Sequence, residues 1–304
     1  MTEPGTRSGF VSVVGRANVG KSTLVNLFVG EKITIVSPKP QTTRNTIRGV
    51  LTRGGAQAVF LDTPGLHRPR TKLGGYMVKC AVSALFESDV VLFMTEPRLR
   101  VPEEDANIIE KLRKTEAAVF LVINKVDTVA KPDLLKIIEN YIKLRPFDEI
   151  FPVSALKADN TGALLDAIFK RLPDGPMYFP EDSVTDMPER TLAAEIIREK
   201  ALSFLQEEIP HGIAVEILLM RGREGAGDGI VDIEASIYCE KDSHKPIIIG
   251  RGGETLKKIG AAARRDIEAL LGSRIYLQLW VKVKKNWRDN DLLLKNFGYD
   301  PKEA

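Results

Sequence analysis

The chain has 304 residues, of which 43% are hydrophobic and 28% are charged, and its formal net charge is +3 at pH 7. Its two cysteines, Cys80 and Cys239, form no CxxC pair, which argues against a disulfide framework or a cysteine-based zinc site. No apolar stretch approaches about 18 residues and the N-terminus lacks a signal-peptide pattern, so we expect a cytoplasmic chain. Its length predicts about two domains.

Short apolar runs alternate with amphipathic stretches over residues 1–172. Runs of this kind are typical of buried strands, and the stretches between them are typical of helices. The predicted strands lie at 11–14, 58–61, 90–94, 118–123 and 150–153, and the predicted helices lie near 21–29, 75–87, 103–114, 132–143 and 161–171. The alternation predicts a doubly wound α/β domain with a mostly parallel sheet.

Four prolines and several acids break any regular period after residue 172, and we predict an extended linker at 173–190. The remaining pattern predicts a small α+β domain at 191–304 that ends in a basic tail. Its predicted elements are a helix at 191–208, strands at 213–220 and 230–238 joined by a glycine-rich loop at 221–229, a mostly helical segment at 247–272, and a strand at 274–285.

The segment GRANVGKS at 15–22 follows the first predicted strand and precedes the first predicted helix. It fits the GxxxxGK[ST] pattern, in which glycines let backbone N–H groups converge on a β-phosphate. In this pattern Lys21 contacts the β- and γ-phosphate oxygens, and Ser22 binds Mg²⁺. The pattern alone leaves ATP and GTP open. The predicted phosphate-binding residues are Gly15, Asn18, Val19, Gly20, Lys21, Ser22 and Thr23.

Three further segments, each at the end of a predicted strand, together favour GTP, although DTPG by itself could be a simple turn. In DTPG at 62–65, Asp62 can hold Mg²⁺ through water and the Gly65 N–H can meet the γ-phosphate. In NKVD at 124–127, Asp127 can accept two hydrogen bonds that guanine donates and adenine cannot. The predicted base-binding residues are Asn124, Lys125, Asp127, Ser154, Ala155 and Leu156.

A polar segment, PQTTRNT at 40–46, lies between the first helix and the second predicted strand. Either Thr42 or Thr43 could complete a Mg²⁺ shell there, and we favour Thr43, with Ser22 and Asp62 as the other ligands. Such a segment orders on GTP and relaxes after hydrolysis. A polar edge loop is the alternative. The predicted catalytic residues are Lys21, Thr43, Gly65 and Asn18.

The C-terminal part carries GRGG at 250–253, directly before a predicted helix. Bare glycines of a GxxG loop let the backbone approach a sugar–phosphate chain, although a lone GxxG is more often a helix-capping turn. Basic residues outnumber acidic ones between 241 and 288, which favours a polyanionic partner. Trp280 and Trp287 could stack on bases, but an apolar strand favours the core for Trp280. The predicted RNA-binding residues are Gly250, Arg251, Gly252, Gly253, Lys257, Lys282, Lys284 and Lys285.

Segments along almost the whole chain resemble the Era family of bacterial ribosome-assembly GTPases. They are GRANVGKSTLVN, SPKPQTTRNTIRG, DTPGLHRPRTKLGGYM, NKVD, SALKADN, DMPERTLAAEIIREK, IIIGRGGETLKKIG and QLWVKVKKNWR. The resemblance implies a Ras-like P-loop GTPase domain followed by a type II KH domain. It implies GTP or GDP with Mg²⁺ as ligands, and 16S ribosomal RNA near its 3′ end and the 30S subunit as partners. We expect a monomer.

Two positions bear on the rate of hydrolysis. Leu66 follows DTPG, where many GTPases place a glutamine that orients the attacking water, so we expect slow intrinsic hydrolysis. Asn18 matches the asparagine with which related potassium-stimulated GTPases hold K⁺, which makes K⁺ a candidate cofactor. The alternative is that Asn18 only forms the loop.

Two other function classes stay open. The basic segment from Lys282 to Trp287 could also meet anionic lipid, which would suit a regulatory GTPase at the inner face of the cell membrane, linking nucleotide state to growth or division. An enzyme that uses GTP through a partner is the other class, but the C-terminal sequence offers no second set of catalytic residues.

Overall fold

The computed structural model describes residues 5–223 and 229–300. Its first part is a six-stranded sheet with the order β2-β3-β1-β4-β5-β6, in which only the β2–β3 pair is antiparallel. The predicted doubly wound fold is therefore confirmed. The strands are β1 (Arg7–Val14), β2 (Ile47–Arg53), β3 (Ala56–Asp62), β4 (Val90–Thr95), β5 (Ala118–Ile123) and β6 (Glu149–Pro152). The helices are α1 (Lys21–Val29), α2 (Lys72–Phe86), α3 (Glu103–Leu112), α4 (Lys131–Ile142) and α5 (Thr161–Arg171).

The edge strand β2 was not predicted from the sequence. Its apolar residues are interrupted by Gly49, and this glycine has a packing reason. A Cβ at Gly49 would lie 2.6 Å from Ile33 and 2.8 Å from Val29, so a larger residue would push the end of α1 away from the sheet. The sequence signal for β2 is weak because the close packing of α1 requires glycine at position 49, and strands disfavour glycine.

Residues 173–188 contain no helix, as predicted for a linker, but they lie along the first domain. The Ser8 N–H donates to the Pro173 carbonyl at 3.0 Å, and the Val50 N–H donates to the Val184 carbonyl at 2.9 Å. Between these points the buried Gln57 side chain bonds the backbone of Tyr178 and Phe179. The linker therefore starts the second domain at a fixed place beside β2. The boundaries at 172 and 190 stay predictions.

The second part is a three-stranded sheet with the order β7-β8-β9, in which β7 and β8 are antiparallel and β8 and β9 are parallel. Helices α6 and α8 cover one face of this sheet through a shared apolar cluster. This confirms the small α+β domain. Its elements are α6 (Glu189–Phe204), β7 (Ala214–Gly222), β8 (Val231–Cys239), α7 (His244–Ile249), α8 (Glu254–Leu271), β9 (Ile275–Val283) and α9 (Asp291–Asn296). The predicted loop at 221–229 lies partly outside the described residues, which omit 224–228.

The C-terminal segment from Trp287 to Tyr299 packs between the two domains instead of forming a free basic tail. The Trp287 ring is fully buried, and its indole N–H donates to the Gly212 carbonyl at 2.9 Å. The same apolar cluster includes Tyr76 and Met77 of α2. The prediction that Trp280 lies in the core is wrong: its side chain is 38% exposed.

Within the described ranges, none of the helices is both long enough and apolar enough to span a bilayer.

Candidate functional site

The segment between β1 and α1 forms a tight cradle that requires its glycines. Gly15 has φ 156°, and a Cβ there would lie 2.2 Å from the Met94 carbonyl oxygen of β4. Gly20 has φ 103°, and a Cβ there would lie 2.2 Å from the Asn124 side-chain nitrogen. Because both clashes are with fixed neighbours, the sequence needs glycine at each position for strand, loop and helix to meet. The cradle opens at the N-terminus of α1, where backbone N–H groups favour an anion.

Lys21 begins α1 and turns its ammonium group back into the cradle. Its Nζ donates to the Arg16 carbonyl at 2.8 Å and to the Gly15 carbonyl at 3.2 Å. Burial lowers the pKa of Lys21 to about 8, against the opposing attraction of Asp62. The side chain is therefore mostly charged at pH 7, and its hydrogen bonds within the described residues go to neutral carbonyls. An arriving phosphate would supply a directly bonded negative partner for the buried ammonium.

The three predicted Mg²⁺ ligands lie together. The Ser22 hydroxyl donates to Asp62 Oδ2 at 2.7 Å, and Thr43 Oγ1 lies 3.1 Å from Ser22 Oγ and 3.4 Å from the same carboxylate oxygen. The Thr42 hydroxyl instead donates to the Lys39 carbonyl at 2.6 Å. The geometry thus favours Thr43 over Thr42, although its role as a ligand stays a prediction.

The Asp62 carboxylate is suited to a divalent cation. It is fully buried, and this burial raises its pKa against the hydrogen bond from Ser22 and the charge of Lys21. Within the described part of the chain, its Oδ1 has no hydrogen-bond partner. A buried carboxylate with an unpartnered oxygen is costly, and a hard cation with oxygen ligands would offset that cost.

The predicted base-binding residues meet at the ends of β5 and β6. Asn124 links three segments, since its Oδ1 accepts from the Ala155 N–H at 2.9 Å and its Nδ2 donates to the Val19 carbonyl at 2.8 Å. The Asp127 carboxylate lies 3.3 Å from Lys157 Nζ, and its pKa is lowered mainly by a hydrogen bond from Ser154. Asp127 is therefore an anion at pH 7, as acceptance of two guanine hydrogens requires.

Lys125 and Leu156 frame this base site. Lys125 has φ 63°, donates from Nζ to the Asn18 carbonyl at 2.8 Å, and forms an ion pair with Glu96. Leu156 is 85% exposed, so its apolar side chain is available to cover a planar base. Thr23 follows Ser22 in the first turn of α1 and lines the cavity between the cradle and residues 35–43.

The segment after β3 explains the missing glutamine. A Cβ at Gly65 would lie 2.8 Å from the Ala17 nitrogen, so glycine lets this segment touch the cradle. The Leu66 N–H donates to the Gly15 carbonyl at 3.2 Å, while its side chain is buried in the cluster that includes Val14 and Ile108. Leu66 therefore fills the core beneath α3, and its position gives no means of orienting water.

Asn18 bridges the cradle and residues 32–46, a range that we call the first switch segment. It adopts φ 65°, and its Nδ2 donates to the Pro38 carbonyl at 2.6 Å. This contact gives Asn18 a structural role in the described molecule. Its predicted role in holding K⁺ stays a prediction.

Sequence reasoning missed the residues that attach the first switch segment to the second domain. Arg44 is only 2% exposed, and its guanidinium donates to the Ile213 carbonyl at 2.7 Å and the His211 carbonyl at 3.2 Å. From the other side, Arg198 of α6 donates to the Thr42 carbonyl, and Glu199 accepts from the Val36 N–H at 2.9 Å. The partners are more than 150 residues apart, so no local pattern could reveal them.

An ion-pair cluster continues this contact towards the GxxG helix. Lys32 lies 2.6 Å from Glu199 and 2.9 Å from Asp266 of α8, and Lys200 lies 2.9 Å from Glu199. These contacts lower the pKa of both carboxyl groups, so the network is charged at pH 7. The start of the first switch segment is thereby tied to the helix that follows GRGG.

The GRGG loop has the geometry of an open clamp. Gly250, Gly252 and Gly253 have φ values of 77°, 60° and 83°. A Cβ at Gly250 would lie 2.3 Å from the Thr255 hydroxyl, whereas a Cβ at Gly252 or Gly253 would meet nothing within 4 Å. Gly250 is therefore needed to join the loop to α8, and the other two leave the outer surface bare. Arg251 lies on this surface and is exposed.

The predicted basic contacts divide between two surfaces. Lys257 lies beside the GRGG loop in a groove of about 470 Å³ between α8 and β9. Lys282 belongs to the opposite, outward row of β9, and Lys284 follows that strand and is exposed. Lys285 is also exposed and lies 3.1 Å from Asp242. The structure therefore brings the loop and Lys257 together and separates the C-terminal lysines from them.

Comparison with known proteins finds relatives along the whole chain. A family model described as a 50S ribosome-binding GTPase matches residues 10–125, and a KH-domain model matches residues 208–288. GTPase Era of Ruminiclostridium cellulolyticum is 53% identical over 96% of this chain and 97% of its own length. GTPase Era of Clostridium botulinum is also 53% identical, over 96% of this chain and 98% of its own.

Two solved structures share both domains and their arrangement. A crystal structure of an Aquifex aeolicus Era variant bound to GDP and AlF₄⁻ matches with a TM-score of 0.93 at 41% identity, over 97% of this chain and 100% of that chain. A structure of Era with MgGDPNP and nucleotides 1506–1542 of 16S ribosomal RNA also has a TM-score of 0.93 and 41% identity, over 97% and 99% of the two chains.

Proposed function

The chain belongs to the Era family of GTPases, and from that premise we propose that it is a GTP-controlled RNA-binding switch in assembly of the small ribosomal subunit. The observation that carries the proposal is the position of three consecutive residues. Thr43 lies beside Ser22 and Asp62, while its neighbours Thr42 and Arg44 are both held by the second domain. A change in the Thr43 hydroxyl on nucleotide exchange would therefore be transmitted directly to the domain interface.

The nucleotide that we propose is GTP, or GDP after hydrolysis, bound with Mg²⁺. Lys21 and the cradle would bind the β- and γ-phosphates, and Asp127 would recognise the guanine edge. Ser22, Thr43 and Asp62 would hold Mg²⁺, which supplies neutralisation of the developing phosphate charge. The relative solved with MgGDPNP supports this choice of ligands.

Hydrolysis in this site would be slow without further help. The Gly65 N–H and the Lys21 ammonium can stabilise charge on the transferred phosphoryl group. The buried Leu66 side chain has no polar group that could orient the attacking water. The resemblance implies that Asn18 helps to hold K⁺, and we therefore include K⁺ as a proposed stimulant of hydrolysis.

The RNA that we propose is the 3′ end of 16S ribosomal RNA, bound first by the GRGG loop and the groove beside it. The open surfaces of Gly252 and Gly253 permit close approach of a sugar–phosphate chain. The relative solved with 16S nucleotides supports this partner. We propose that the chain acts as a monomer in the cytoplasm, where ribosomal subunits assemble.

The proposal is tested by measuring how nucleotide state changes RNA affinity. A synthetic oligonucleotide with the 16S 3′-end sequence is titrated into the full chain loaded with GDPNP and Mg²⁺, and then with GDP and Mg²⁺. We expect the two affinities to differ by at least about fivefold, the lower end of typical coupling between sites. Both should fall steeply with salt because phosphate contacts release counterions. Equal affinities would refute the switch, and absence of binding would refute the RNA function.

A further inference from the structure

Strand β9 has two differently used faces. Its odd-numbered residues, such as Ile275 and Val281, are buried against the helices in the second domain's core. Its even-numbered residues Tyr276, Gln278, Trp280 and Lys282 point to the opposite face, because side chains alternate along a strand. Two of them are large and open to solvent, since Tyr276 is 50% exposed and Trp280 is 38% exposed.

The C-terminal segment covers one end of this outward face, and at the other end the Arg223 guanidinium lies over the Tyr276 ring, 5.5 Å from its centroid. Near Lys282, the neighbouring Tyr238 is packed by the C-terminal segment, with its ring centroid 4.9 Å from that of Phe297. Trp280 stays 38% exposed, although its register partner on β8, the small residue Ser236, is fully buried. An exposed aromatic pair on an otherwise ordered strand indicates a contact surface, because its apolar rings gain free energy when a flat partner covers them.

Charge and position point to RNA as the partner. Lys282 is two residues from Trp280 on the same row, roughly 7 Å along the strand, and its ammonium lies 6.0 Å from the centroid of the Tyr238 ring. Tyr276 also lines the groove between α8 and β9, where we propose that RNA enters. Strand β9 is the edge of its sheet, so a chain can pass from the groove across this edge to the outward face.

Three acidic residues lie on the described part of this face. Arg223 donates to Asp232 at 3.1 Å and pairs with its charge. Glu216 accepts from the neutral Tyr238 hydroxyl at 2.7 Å, and Glu234 lies opposite Gln278 in the strand register; neither forms an ion pair within the described residues. Lys282 and Lys284 are both exposed at the other end of the row from Glu234, so that end favours a phosphate chain.

We propose that the outward face of β9 is a second RNA-binding surface, on which Trp280 stacks a base and Lys282 neutralises a neighbouring phosphate. Single-stranded RNA that leaves the GRGG groove crosses the edge at Tyr276 and continues over Trp280. The inference rests on the proposed RNA-binding function and extends it from one surface to two. Aromatic stacking of this kind tolerates any base, so the surface adds affinity and length rather than sequence selection.

The fluorescence of Trp280 reports whether RNA is bound over its ring. The chain has two tryptophans, and Trp287 is fully buried, so quenching of tryptophan fluorescence by RNA isolates Trp280. The full chain loaded with GDPNP and Mg²⁺ is titrated with two single-stranded RNAs that share the 16S 3′-end sequence. The shorter has about six nucleotides, enough for a clamp that holds about four. The longer has about fourteen.

We expect the longer RNA to quench Trp280 and the shorter RNA to leave it unchanged. Trp280→Ala should weaken binding of the longer RNA about tenfold and spare the shorter one, while Trp280→Phe should restore most of the affinity. Lys282→Gln should lower the salt dependence for the longer RNA by about one unit of slope. Unchanged GDP affinity in each variant checks that the chain is folded.

The failure of this inference differs from the failure of the proposed function. If the shorter RNA binds, Gly252→Asp abolishes that binding, and Trp280→Ala affects neither RNA, the second surface is refuted and the groove stands. The face would then be left for a protein partner. If the native chain binds neither RNA, the RNA function and the second surface both fall.

Discussion

The nucleotide site and the RNA surfaces use glycine in opposite ways. Gly15 and Gly20 lie under neighbouring atoms, and a Cβ at either would come within 2.2 Å of one. Gly252 and Gly253 face open space, with nothing within 4 Å of such a Cβ. The first pair closes a rigid, buried cradle, and the second pair keeps a surface bare for a partner that arrives later. The difference separates a preformed site from one completed by its ligand.

The largest effect that we predict concerns the base. Asp127→Asn replaces an acceptor of two guanine hydrogens by a group that presents an amide N–H₂. A site built to bond a polar group rejects an analogue without that group by a factor of roughly 10⁴–10⁵. We therefore expect GTP affinity to fall by at least about 10³-fold while affinity for xanthosine triphosphate rises. Competition binding of the two nucleotides measures this. Asp133→Asn, at a half-buried residue in the first turn of α4, is the control and should change neither affinity.

The next prediction tests the rigid cradle directly. Gly20→Ala should weaken GTP binding by about 100-fold, or roughly 3 kcal/mol, because the new Cβ meets the Asn124 side chain and the backbone is strained at φ 103°.

Gly54→Ala is the matched control for this variant. Gly54 has φ 58° but open space around a Cβ, in the turn between β2 and β3. It should lower the free energy of unfolding by about 1 kcal/mol and leave GTP affinity unchanged. Equal loss of GTP affinity in both variants would show that the loss comes from general destabilisation of the domain and not from the contact with Asn124.

A smaller effect follows from the pKa of Lys21. The pKa is about 8 in the free site, and phosphate should raise it because the anion favours the ammonium form. Binding therefore takes up a proton above pH 8. GTP affinity should be flat below pH 8 and fall by about tenfold per pH unit above it. Isothermal titration between pH 6.5 and about 9 measures this window.

Lys21→Arg is the control for the pH profile, because a guanidinium stays charged throughout this range. The variant should bind GTP more weakly than the native chain does. Its GTP affinity should stay constant as the pH rises, apart from any effect of pH on the guanine base. A native chain whose profile parallels that of the variant would show that Lys21 does not titrate during binding.

The two regions also differ in how far the sequence predicts them. The cradle, DTPG and NKVD are contiguous patterns at strand ends, so local order brought Lys21, Asp62 and Asn124 to one place. Edge strand β2 was missed because α1 packing selected Gly49 in its interior. The sequence predicts Trp280 in the core because period and apolarity do not tell which face of a strand the helices cover.

The interface between the domains was beyond any local pattern. Arg44 looks like one more polar residue in a loop, and its burial depends on carbonyls of His211 and Ile213 supplied by the other domain. Trp287 follows a lysine-rich stretch, a position that suits base stacking, yet it packs against the first domain's helix α2 through their shared cluster. Long-range packing determines the positions of both residues. The same packing joins the nucleotide cradle to the domain that carries the GRGG loop.

The most direct test of the coupling is the ratio of RNA affinities with GDPNP and with GDP in Arg44→Lys. A lysine keeps the charge but cannot bond both the Ile213 and His211 carbonyls with a fixed fork. Arg48→Lys, an exposed arginine paired with Asp186, is the control. We expect the ratio to fall from at least about fivefold towards one in Arg44→Lys, with GDP affinity kept within about threefold, and to stay native in Arg48→Lys. A native ratio in Arg44→Lys would refute this coupling.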